Sequence, residues 1–122
     1  MRNFRNYKIY QDAMEIAKMT YTVTGAFPKS EIYALSAQLN RAAVSIASNI
    51  AEGASRDSEK DFAHFLEISL GSSFEVETQL VIAKDLGYDK EGIISGLLDK
   101  IQRIEKQINQ LIRKIRPIAN SQ

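Results

Sequence analysis

Apolar positions in this chain recur at steps of three and four, the period of a helix face, and nowhere keep up a strand-like alternation. Ile9, Ala13, Ile16, Thr20 and Val23 share one face of a first predicted helix, over about residues 5–25, ended by Gly25 and Pro28. Leu35, Leu39, Ala43, Ile46 and Ile50 mark a second, over about 31–53. It starts near Ser30 or Glu31 and closes on Gly53, whose freedom to take positive φ suits a C-terminal cap. Ser58 is the expected N-cap of a third helix, 58–86, with Asp61 three residues on and acidic first-turn residues that suit the helix dipole. Phe62, Leu66, Ser69, Ser73, Val76, Leu80 and Ala83 carry its rhythm toward Gly87. Asp89 can cap a fourth, about 90–116, along which Ile94, Leu97, Ile101, Ile104, Ile108, Leu111 and Ile115 fall on one face. Pro117 is expected to stop it and leave 117–122 as a loose tail.

Helices of similar length joined by short connections pack as antiparallel neighbours. The predicted fold is therefore all-α, an antiparallel up-down-up-down four-helix bundle occupying residues 1–122 as one domain, without internal repeat or linker.

Two of the helices carry more apolar surface than one seam needs. Tyr7, Tyr10, Met14, Ala17 and Tyr21 widen the first helix's apolar face, and the third has Phe65, Ile68 and Ile82 on one flank of its main row and Leu70, Phe74 and Val81 on the other. Four helices provide no central position that would hide such a helix on both sides, so a second copy of the chain is the expected cover.

Composition narrows the chemistry. With 44% apolar and 25% charged residues in 122, the chain reads as an ordinary globular domain. Absence of cysteine removes disulfides, thiolate catalysis and Cys-ligated zinc, and a single histidine removes a multi-His metal site within one subunit. No apolar run reaches the roughly 18 residues of a spanning helix, and the start lacks a signal peptide's apolar segment, so a cytoplasmic protein with no membrane partner is expected. Net charge is only +1, but it is unevenly spread: residues 1–57 sum to +2, 58–99 to −6 and 100–122 to +5. Any polyanion contact would favour the last helix.

The most distinctive stretch is RAAVSIASNIAEGASR, residues 41–56, answered downstream by GSSFEVE, residues 71–77. Small residues at Ala42, Ala43, Ser45, Ala47, Ser48 and Ala51 on one helix, and at Gly71, Ser72 and Ser73 on the next, would let the two approach closely, with Gly71 at a tight contact. Arg41, Ser45, Ser48 and Glu52 share a face with Asn49 and Arg56 beside it, and Glu75 and Glu77 follow on the third helix; a pairing of Arg41 or Arg56 with Glu75 is one arrangement, a solvated polar face the other.

Together with FPKSEIYALS before it and DFAHFLEISLGSSFEVETQLVIAKDLGY after it, this stretch resembles the four-helix-bundle protein family named after open reading frames in 23S rRNA intervening sequences. The likeness covers roughly residues 4–115. It implies a small homopentameric bundle with no established enzymatic activity, related to the accessory protein of diversity-generating retroelements, a pentameric barrel that binds a reverse transcriptase and RNA. The family pattern falls on Phe27, Pro28, Glu31, Gln38, Arg41, Ser45, Ile46, Ser48, Asn49, Ile50, Ala51, Glu52, Gly53, Gly71, Ser72 and Glu75. Of these, Arg41, Ser45, Ser48, Asn49, Glu52, Gly53, Gly71, Ser72 and Glu75 are the candidate packing and assembly residues. Ala47 stands where the family usually has proline, so nothing at that position demands a kink.

Catalytic apparatus is not evident. His64 lacks a metal-binding companion, the serines lack a histidine partner, no Glu-x-x-His pair accompanies Glu52 and Glu75, and Gly53 and Gly71 do not form a phosphate loop. No catalytic residue, cofactor, metal or small-molecule substrate is therefore assigned. Two basic clusters could meet nucleic acid: Lys100, Arg103, Lys106, Arg113 and Lys114 on the fourth helix, and Arg2, Arg5 and Lys8 interleaved with Phe4 and Tyr7. The expected role is a non-enzymatic subunit of a homo-oligomer, pentameric by resemblance, acting as a scaffold or protein-binding module. The alternative is an RNA or nucleoprotein accessory factor using the basic fourth helix.

Overall fold

A computed structural model describes the backbone of residues 2–120 and the side chains of 2–118. Four helices follow one another: α1 (Lys8–Gly25), α2 (Leu35–Ala54), α3 (Glu59–Asp85) and α4 (Ile93–Asn120), with single 3-10 turns at Phe4–Asn6 and Lys29–Glu31. No strand occurs among the described residues. Each helix packs on its two neighbours in the ring α1-α2-α3-α4, and the diagonals do not meet.

Direction follows from pairs along each seam. Ser45 meets Ser72 while Gln38 meets Gln79 across α2–α3, and Gln102 meets Glu77 while Arg116 meets Glu67 across α3–α4. In both seams one number rises as the other falls. The bundle is therefore antiparallel, with the up-down-up-down order expected.

Its core is the set of rows read from the sequence. All seven α3 positions from Phe62 to Ala83 are buried, as are Ala13, Ile16, Thr20 and Val23 of α1 and Leu39, Ala43, Ile46 and Ile50 of α2. On α4 the row holds from Ile94 through Ile108 and then passes to Ile112 instead of Leu111, which is only half-buried. α2 is a single uninterrupted helix through Ala47, in keeping with alanine at that position.

Helix ends depart from expectation in three places. α2 begins at Leu35, not near residue 31, because the preceding segment turns as a 3-10 piece in which Glu31 accepts a 2.8 Å hydrogen bond from the Tyr88 hydroxyl. Ile32 and Tyr33 project into solvent there, so a helical turn would gain no burial. Gly53 does not cap α2; it lies buried inside the last turn, and the helix ends one residue later at Ala54. Finally, α4 runs past Pro117 to Asn120. Proline at 117 removes one amide donor, and at this exposed position water can satisfy the carbonyl left without it. The last two residues of the expected tail lie outside the described residues.

Two helix starts also fall a turn late, α1 at Lys8 and not near 5, behind the separate 3-10 turn, and α4 at Ile93 and not near 90, while the expected caps are in place. Ser58 Oγ accepts from the Asp61 amide at 3.1 Å, and Gly87, at φ 84°, turns the chain after α3. Asp89 accepts from the Ile94 amide at 2.9 Å and the Ser95 hydroxyl at 3.0 Å, with Gly92 (φ 71°) delaying the start of α4 to Ile93. Burial opposes ionisation of Asp89, but these hydrogen bonds and the charge of Lys84 hold its carboxyl below the usual value.

Candidate functional site

The small residues of α2 face inward. Ala42, Ala43, Ala47 and Gly53 are buried, which lets α3 lie close, and the polar groups between them bridge the seam. Ser45 Oγ and Ser72 Oγ are 2.8 Å apart, and Asn49 Nδ2 donates to the Ser45 carbonyl at 2.8 Å and to its hydroxyl at 2.9 Å. One layer deeper, Ser69 donates to the Ile46 carbonyl at 2.8 Å. The hydroxyls of Ser45, Ser69 and Ser72 replace apolar bulk and each finds a partner across or along the helices, whereas the buried Ser36 Oγ on α2 and Gln79 Oε1 on α3 have none among the described residues.

The structure thus joins Ser45, Asn49 and Ser72, but leaves Arg41, Ser48, Glu52, Glu75 and Gly71 on the exposed rim. Neither arginine reaches Glu75. Arg56 pairs instead with Glu52 at 2.5 Å and stacks on Phe65, Glu75 takes a 3.4 Å bond from Gln79, and Arg41 has no acidic partner among the described residues. The two glycines exchange roles. Gly53 is the tight contact, where an added Cβ would meet Phe65 Cβ at 2.7 Å, whereas nothing lies within 4 Å of the equivalent point on Gly71.

Next to this rim runs an apolar stripe. Ile68, Phe74, Val81 and Ile82 are 40–49% exposed on the outer face of α3, with Gly71 and Thr78 completing the three-and-four spacing over about 20 Å. Phe65 and Leu70, expected on the same flanks, are half-buried in the bundle. Val44 on α2 and Met14 and Tyr21 on α1 also project outward, while Tyr7, Tyr10 and Ala17 are half-buried.

The two basic clusters differ in availability. On α4, Arg103, Lys106, Arg113 and Lys114 are exposed with no acidic partner among the described residues, whereas Lys100 pairs with Glu15 at 3.1 Å and Arg116 with Glu67. At the N-terminus, Arg2 is committed to the fold: it pairs with Glu59, donates to the Arg56 carbonyl at 2.6 Å and lies 4.5 Å over the Phe62 ring. Tyr7 packs on Phe62 and the exposed Lys8 pairs with Asp12 at 2.8 Å, so of that cluster only Arg5, stacked on Phe4, points outward without an acidic partner among the described residues.

One pair escaped sequence reading. Glu105 faces Glu77 across the α3–α4 seam, its Oε2 buried without a donor. Burial first, and then the hydrogen bond and charge of Glu77, push the Glu105 carboxyl up to about 8, so it keeps its proton at neutral pH. Its signal in the sequence was slight: Glu105 is the single acid in the basic segment 100–122. His64 is exposed, its ring edge-on to Phe65, and no group of three or more potential metal ligands occurs among the described residues. No described helix is long and apolar enough to cross a membrane.

The fold is similar to that of a solved protein of unknown function from the S23 ribosomal protein family of Bacteroides thetaiotaomicron, with a TM-score of 0.79 and 22% identity over 85% of this chain and 97% of that one. Among curated proteins, none matches the chain. The family model described as 23S rRNA-intervening sequence protein matches residues 5–110, most of the bundle including the whole Ser45–Ser72 seam, and the chain belongs to that family.

Proposed function

We propose that this protein is a non-enzymatic subunit of a cytoplasmic homo-oligomer, a pentamer by the resemblance set out above, that scaffolds or binds a protein partner. The observation that carries the reading is the α3 stripe. Apolar side chains spaced for a helix face stay outside the buried core, and such a face gains free energy when a partner covers it. A second copy of the chain supplies a matching surface at the same concentration as the first. Light scattering on the purified chain tests this: a mass several times 13.7 kDa is expected, and Phe74→Glu should reduce it to one subunit without loss of helicity. A folded single particle for the unaltered chain at micromolar concentration would end the proposal.

A second reading rests on a different observation. Arg103, Lys106 and Arg113 fall along one outer row of α4 with Lys114 alongside, free of acidic partners. Repeated around an oligomer, that row would present phosphate-binding charge many times over. RNA affinity that falls with salt, and falls further when Arg103 and Lys114 are changed to Gln, supports it; absence of binding even at low salt removes it.

A further inference from the structure

Of the neighbouring helices, α1 and α4 are the least intimately packed. Between the start of α1 and the end of α4 they leave an open groove of about 520 Å³, with Ile9, Phe62, Leu111 and Ile115 along its lining. Ligand sites are typically concavities of roughly 300–1,000 Å³, mostly apolar, with a few polar groups that orient the occupant. The rim here supplies charge of one sign in excess. Arg2 is neutralised by Glu59 and Lys8 by Asp12, which leaves the exposed ammonium of Lys114 uncompensated beside the apolar floor.

The other concavities lack this combination. A notch of about 50 Å³ between Lys8 and Lys100 is occupied by the Lys8–Asp12 and Lys100–Glu15 ion pairs. A cavity of about 270 Å³ at the opposite end is also apolar along Val23, Ile93 and Ile94, but its one cation, Lys90, sits between Asp89 and Glu91, so its wall has no positive charge to spare. A nucleic acid would leave the apolar floor unused.

An apolar floor with a single spare cation matches a slender apolar chain ending in one anionic group. We propose that this groove binds a free fatty acid, its hydrocarbon chain along Ile9, Leu111 and Ile115 and its carboxylate paired with Lys114. The hydrocarbon chain covers what the half-buried Ile9 and Leu111 still expose above the buried Ile115, and the carboxylate meets an ammonium that has no acidic partner among the described residues.

Calorimetric titration with sodium dodecanoate, below the concentration at which it forms micelles, tests the proposal. One molecule per chain is expected, with methyl resonances of Ile9, Leu111 and Ile115 shifting on saturation. Lys114→Glu should weaken binding about tenfold and Lys114→Arg should restore it, while dodecanol should bind more weakly and be indifferent to both changes. Lys114 is exposed, so neither variant threatens the fold. No saturable binding, an unchanged affinity in Lys114→Glu, or shifts centred on Ile68 and Phe74 instead would overturn it.

Discussion

Gly53 on α2 lies against Phe65 on α3 so closely that a Cβ at 53 would stand 2.7 Å from the Phe65 Cβ, with the Phe62 carbonyl 3.2 Å away. Neither neighbour can swing aside, since one atom is fixed to the α3 backbone and the other belongs to it. Gly53→Ala should therefore force the helices apart and destabilise the bundle by about 1–3 kcal/mol, despite alanine's better helix propensity. Gly71→Ala meets nothing within 4 Å and should stabilise the chain by up to about 1 kcal/mol. Urea unfolding of both variants measures the contrast. Equal effects at the two glycines would show that the α2–α3 distance is not set at Gly53.

The hydroxyl contact between Ser45 and Ser72 should behave as a coupled pair. Removing the Ser45 hydroxyl strands that of Ser72 and should cost about 1 kcal/mol, removing the Ser72 hydroxyl leaves Ser45 its bond from Asn49 and should cost less, and removing both should cost less than the sum. A double-mutant cycle with Ser45→Ala and Ser72→Ala in chemical denaturation reads the difference directly. Strict additivity would mean that the two hydroxyls do not share a proton in solution.

Much of the bundle was legible in the sequence because burial and helical period are the same information. Every α3 position chosen by spacing from Phe62 to Ala83 is buried, and most of α4 follows suit. What failed depended on what stands opposite. Gly53 and Gly71 look alike along the chain, and only the approach of Phe65 gives the first its packing role. Leu111 and Ile112 are adjacent apolar residues, and the direction in which α4 meets its neighbours decides which is buried. Arg2 reads as a mobile terminal cation until Glu59 and Phe62, more than fifty residues away, are placed beside it. The Glu77–Glu105 encounter is a matter of register between two helices, to which neither helix's own pattern is sensitive.

The Arg2 clamp ties the first residues of the chain to the α2–α3 connection, through an ion pair, a carbonyl hydrogen bond and ring stacking at once. Arg2→Ala should lower stability by about 1–2 kcal/mol, and part of the loss should vanish in high salt, where the ion pair is screened. Arg5→Ala, which removes only an exposed guanidinium over Phe4, should change stability by less than about 0.5 kcal/mol. Thermal unfolding at low and high ionic strength separates the two. Equal, salt-independent effects would reduce the clamp to simple surface contact.

The proton held between Glu77 and Glu105 links stability to pH with a definite sign. In the unfolded chain the Glu105 carboxyl loses its proton near the ordinary 4.5, whereas in the bundle it keeps it to about 8. Between those values the folded state binds more protons than the unfolded state, so stability must fall as pH rises from 4.5 to 8 and level off above. Glu105→Gln places an amide donor opposite the Glu77 carboxylate at every pH. It should therefore match the unaltered protein near pH 4, gain on it steadily through neutrality, and be clearly the more stable at pH 9. Unfolding midpoints measured across that range decide the matter, and a pH-independent difference between Glu105→Gln and the unaltered chain would show that the two carboxyls do not share a proton.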